Sequence, residues 1–82
     1  MTESPPIQVR YDDEADVLYV SIGDPRRAFS ETDAEDERVY WRYAMEDDSL
    51  CGVTVLDYRE WTFDALQSKL APRIYIPPSI LP

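Results

Sequence analysis

Apolar and polar positions alternate cleanly in the first patterned stretch of the chain. In "IQVRY", Ile7, Val9 and Tyr11 oppose Gln8 and Arg10, the period-two signature of a strand with one dry face. "DDEAD" interrupts the pattern. "VLYVSI", Val17 to Ile22, resumes it as a run that is apolar on both sides, with Val17 and Tyr19 on one and Leu18, Val20 and Ile22 on the other. Such a strand sits centrally with a cover on each face; a helix on one side and a second subunit on the other are the expected covers. Gly23 and Pro25 mark a turn. "AFSET", Ala28 to Thr32, is a weak, mostly polar strand near an edge. "RVYWRYAM", Arg38 to Met45, puts Val39, Trp41, Tyr43 and Met45 opposite Tyr40, Arg42 and Ala44. "LCGVTVLDY", Leu50 to Tyr58, is the last strong strand run.

The period then changes. In "REWTFDALQSKL", Arg59 to Leu70, the residues Phe63, Leu66 and Leu70 form a helical stripe. Asp57 with Glu60 has capping-box spacing, and Thr62 is a rival cap further on. Pro72 stops the helix. Arg73 to Ile76 is a short strand candidate, pairing in cis or across a dimer, and Pro77-Pro78 follows. The pattern predicts an α+β domain. It is a small antiparallel β-meander of four to five strands, then one C-terminal helix and an extended Pro-containing tail. Residues 1–6 read as a flexible leader, 7–76 as a single domain and 77–82 as a Pro-rich tail.

Length sharpens this picture. A domain of 82 residues buries only about 60–65% of its extended surface. Its stability is expected at about 4–12 kcal/mol, and pairing with another subunit would widen that margin. A helix of about twelve residues is about 18 Å long and covers one face of a small sheet. Apolar side chains left on the other face mark a contact site. Tyr19, Trp41, Tyr43 and Trp61 are the candidate protein interface, since Tyr and Trp are enriched in such contacts.

Charge then narrows the partners. Seventeen acidic residues against eight basic give a net charge of −9. Lys69 is the sole lysine and the arginines are scattered, so nucleic acid and anionic membranes are disfavoured. A basic protein partner suits the charge. There is no histidine, and Cys51 is alone, which excludes an internal disulfide and a Cys/His metal cluster. No nucleophile motif or Gly-rich phosphate loop is present. No signal-length or membrane-length apolar run is present either, so the expected compartment is the cytoplasm.

The string "YDDEADVLYVSI" resembles the opening of a small, mostly bacterial family known as domain of unknown function 2283. The resemblance rests on Tyr11-Asp12, Asp16 and Leu18-Tyr19-Val20, with "CGVTVLDYREW" similar to the later Gly-containing strand that runs into a helix. The resemblance implies a β-meander plus helix and a dimer, and it carries no assigned activity. The company that such families keep in operons implies an antitoxin-like or regulatory role.

Two acidic clusters remain. Asp12 and Asp16 are expected to staple a hairpin turn, with Asp13 and Glu14 in water. The rival reading is a divalent cation on Asp12, Glu14 and Asp16, but the EF-hand pattern and its glycine are absent. Glu31, Asp33, Glu35, Asp36 and Glu37 form either a solvated loop or a docking patch for a basic partner. Arg10, Arg38 and Arg42 are expected to pair with carboxylates or lie over aromatic rings, with anion binding as the alternative. The expected function is a non-enzymatic protein-protein interaction module acting as a homodimer, without catalytic residues, metal or cofactor. The alternative is a divalent-cation or small-anion binding protein, or an enzyme, using the acidic loop carboxylates and Arg42.

Overall fold

Each alternating stretch is a strand in a computed structural model that describes residues 6–82. The strands are β1 (Ile7–Asp12), β2 (Val17–Ile22), β3 (Ala28–Thr32), β4 (Val39–Ala44) and β5 (Leu50–Leu56), followed by one helix, α1 (Phe63–Leu70). They form one antiparallel sheet in the order β1-β2-β5-β4-β3. The β1–β2 hairpin and the β3–β4–β5 meander join where β2 pairs with β5, placing those two strands at the centre. The predicted α+β class and meander-like sheet are as observed. Residues 1–5 of the expected leader lie outside the described residues. The carbonyl of Pro6 accepts from Gly23 N at 2.9 Å.

The period-two pattern sets the two faces. Leu18, Val20, Val39, Trp41, Val53 and Val55 point to one side, where Leu66, Leu70, Ile74 and Ile76 meet them in a single core. Leu18, Leu70 and Ile76 are fully buried, each worth about 2–3 kcal/mol of hydrophobic transfer. The register slips between Arg42 and Tyr43, whose partners are Gly52 and Leu50. Cys51 is the extra residue of this bulge. Gly52 is required there: a Cβ would lie 2.4 Å from the Val20 carbonyl oxygen, closer than any side chain tolerates.

The helix is shorter than its sequence stripe. Asp57 adopts a left-handed backbone (φ 54°), Tyr58–Glu60 makes one 3₁₀ turn, and Trp61 is extended. The Asp57–Glu60 capping box therefore does not form. Asp16 takes the N–H of Arg59 instead, at 3.1 Å. The helix begins after Thr62, whose Oγ1 accepts from Ala65 N at 3.1 Å. Of the expected stripe, Leu66 and Leu70 are buried and Phe63 is exposed.

Arg73 to Ile76 is likewise not a strand. Its alternation holds, with Ile74 and Ile76 buried and Tyr75 exposed, but it joins no ladder. The Gln67 amide stands in for a neighbouring strand: Nε2 donates to Ile74 O, and Oε1 accepts from Ile76 N at 3.3 Å. The segment thus packs onto its own domain. The Pro-rich tail is anchored too. Pro78–Ile80 forms a 3₁₀ turn, Leu81 packs against the core, and the Tyr58 hydroxyl donates to Pro82 O at 3.0 Å. Among the described residues, no helix is long and apolar enough to cross a membrane.

Candidate functional site

The β1–β2 loop is built by its acids. Asp12 Oδ1 accepts the N–H groups of Glu14 and Ala15, at 3.1 and 3.2 Å, the self-capping that favours aspartate in turns. Asp16 closes the loop in the left-handed region (φ 57°), which Asp tolerates better than most residues. Its carboxylate accepts the Tyr11 hydroxyl at 2.7 Å and the Arg59 N–H. That phenol bond to a carboxylate raises the Tyr11 pKa, with desolvation adding to it. Asp13 and Glu14 are exposed. No group of three His, Cys, Asp or Glu side chains among the described residues is arranged to hold a metal. The side chains of Asp12 and Asp16 take backbone N–H groups and the Tyr11 phenol instead.

The β3–β4 loop repeats the device and extends it. Asp33 Oδ2 accepts from Glu35 N and Asp36 N, at 3.0 and 3.1 Å. Its Oδ1 accepts the Trp41 indole N–H at 2.9 Å, and Lys69 Nζ from the helix donates to Oδ2 at 2.9 Å. These bonds, the indole first, hold the Asp33 pKa far below the usual carboxylate range. Asp36 pairs with Arg38 through Nε and Nη2 at 3.0 and 2.8 Å, which lowers its pKa to about 2. The expected docking patch is therefore divided. Asp33 and Asp36 turn inward to partners, while Glu31, Glu35 and Glu37 stay exposed.

Beside this loop, β3 and α1 enclose a cleft of about 710 Å³. Trp41, Tyr43 and Trp61 line it together with the acids of the loop. Arginines already lie on these rings. The Arg73 guanidinium is 4.7 Å from the Trp41 ring centre and donates to the Tyr43 hydroxyl at 2.7 Å. Arg38 lies 4.2 Å over Trp61. The expected preference of arginine for carboxylates and aromatic faces is observed for Arg38, and for Arg10 over Tyr19 at 4.4 Å.

The candidate interface of Tyr19, Trp41, Tyr43 and Trp61 is split between the two sides of the sheet. Trp41, Tyr43 and Trp61 lie on the core side, and Trp41 is buried within it. Tyr19 lies on the opposite face, in a row with Arg10, Thr54 and Tyr40. Period-two parity orients side chains within one strand but does not relate one strand to the next, so the sequence pattern merged two surfaces. Tyr40 belongs with Tyr19 on the uncovered face, and Lys69, Arg59 and Arg73 belong to the loop and cleft. Their only sequence signal was charge or ring type, since each acts on residues distant in the chain.

The uncovered face carries two arginines, Arg10 and Arg42, among polar and aromatic side chains. Across its rows lie Gln8, Ser21, Gly52, Arg42 and Ser30, then Arg10, Tyr19, Thr54, Tyr40 and Thr32, with Asp12, Val17 and Leu56 at one end. Arg42 is half-buried and makes no ion pair among the described residues. At one margin, Gln8, Ser21, Asp24, Arg26, Arg42 and Cys51 line a recess of about 120 Å³.

These features define a small acidic α+β protein, with one sheet face sealed by helix and tail and the other open. Residues 8–59 match the family described as a protein of unknown function, DUF2283, and the chain belongs to that family. Comparison with curated proteins and with solved structures gives no match. The residues that carried the resemblance have structural work here. Tyr11, Asp12 and Asp16 fasten the hairpin, and Leu18 and Val20 enter the core.

Proposed function

We propose that the chain is a non-enzymatic protein-protein interaction module of the bacterial cytoplasm that works as a homodimer, two copies meeting through their uncovered sheet faces. One observation supports this reading above the others. In a chain of net charge −9, that face has Arg10 and Arg42 beside Asp12, whose Oδ1 is already engaged in its turn, with Asp24 and Arg26 at its margin. A two-fold contact would let these arginines of one copy face the acids of the other, a charge complementarity that favours encounter. The face also offers Tyr19, Tyr40 and Leu56 as apolar contact, and Tyr and Arg are favoured at such interfaces. A two-fold axis through it would place the same patch on both sides.

Solution mass from light scattering at tens of micromolar tests the reading. A dimer is expected, with Tyr19→Glu and Tyr40→Glu shifting it to monomer while the circular dichroism spectrum is retained. A strict monomer at that concentration rejects it, and so does a dimer that both substitutions leave intact.

A further inference from the structure

We propose that the cleft between β3, the β3–β4 loop and α1 receives an extended basic segment of another protein. The segment lies along the outer edge of β3 and seats an arginine on the aromatic floor. This cleft lies on the core side of the sheet, away from the face assigned to self-association, and the inference does not depend on that assignment.

The floor shows its own preference. Trp41 and Tyr43 hold the Arg73 guanidinium by stacking at 4.7 Å and a hydroxyl contact at 2.7 Å. Arg73 is exposed and pairs with no carboxylate among the described residues. Trp41 is otherwise buried, so an incoming guanidinium reaches its ring by displacing Arg73. Planar stacking of this kind suits arginine better than lysine.

Charge at the mouth points the same way. Asp33 and Asp36 are neutralised by Lys69 and Arg38. Glu31 and Glu35 line the cleft, are exposed, and have no side-chain partner among the described residues. A basic segment supplies the missing countercharge, and the net charge of −9 speeds its encounter.

Backbone supplies the third element. β3 ends the sheet order and, among the described residues, has a strand partner only in β4. Its outer edge is open to an added strand. Alternate side chains of that strand would project to the side on which Glu31 and the cleft lie.

The test titrates the full chain with a blocked peptide of alternating Arg and Thr, matched in length to β3, and with its Lys and Glu counterparts. Trp41 and Trp61 are the only two tryptophans and both line the cleft, so intrinsic fluorescence reads occupancy directly. The Arg peptide is expected to bind saturably and more weakly as salt rises. The Lys peptide should bind about tenfold more weakly, and the Glu peptide not at all. The double variant Glu31→Gln, Glu35→Gln should lose about tenfold in affinity with its thermal midpoint unchanged, because both side chains are exposed. Arg73→Ala should tighten binding by vacating the floor. The proposal is overturned by no saturable Arg-peptide binding at low salt, by equal affinity of wild type and double variant, or by equal binding of the Arg and Lys peptides.

Discussion

The two acidic loops begin with the same local device and end in different roles. Asp12 caps the N–H groups two and three residues on, and so does Asp33. Among the described residues Asp12 adds no further side-chain bond, leaving Asp16 to tie its loop to Tyr11 and Arg59. Asp33 itself reaches Trp41 in the core and Lys69 on the helix. A turn aspartate is worth little more than its turn unless distant groups converge on it. Where they do, the same residue becomes a joint between sheet and helix.

The largest test of this difference is Asp33→Ala. It leaves the indole N–H of a buried tryptophan and a half-buried ammonium without their acceptor, so a loss of about 3 kcal/mol is expected in urea unfolding. Asp16→Ala comes next, at about 2 kcal/mol. It loses the Tyr11 and Arg59 bonds and puts alanine in a left-handed backbone. If Asp16→Ala cost more than Asp33→Ala, the ranking of the two loops would be reversed.

The pH dependence separates the loops in another way. The Asp33 pKa is lowered in the fold from an ordinary value of 3.8. Its contribution is fully present above that ordinary value and is lost as pH falls towards the folded one. Urea midpoints of the wild type should therefore drop between about pH 4 and pH 2, with Asp36 acting in the same direction. Asp33→Asn should have a lower midpoint at neutral pH and a shallower acid decline. An acid decline as steep as that of the wild type would show that Asp33 is not the coupled group. The smallest effects belong to the first loop. Asp12→Ala should cost about 1 kcal/mol, and Asp13→Asn or Glu14→Gln should stay within about 0.5 kcal/mol. A large effect of Asp13 or Glu14 would reopen a binding role for that loop.

The strands were legible because their alternation is local and each had a buried face to satisfy. The helix start was legible in part: Thr62, the later of two cap candidates, is the one that caps, while the loss of the Asp57 start accompanies Asp16 capturing the N–H of Arg59, 43 residues away. The division of the second acidic cluster was hidden for the same reason: Lys69 stands 36 residues from Asp33. The aromatic residues Tyr19, Trp41, Tyr43 and Trp61 were read as one candidate interface, yet the sheet distributes them between a core side and an open side. The segment 73–76 had the right alternation and the wrong partner, a glutamine side chain in place of a strand.

The family match ends at residue 59, whereas Leu66, Leu70, Ile74 and Ile76 complete the core beyond it. The shared segment is therefore a floor without a roof. A chain cut at that boundary would present Leu18, Val20, Val53 and Val55 to water and would tend to clump. Within this chain, residues 8–59 supply one half of the oily interior, and the side chains from Leu66 to Ile76 close over it as a lid.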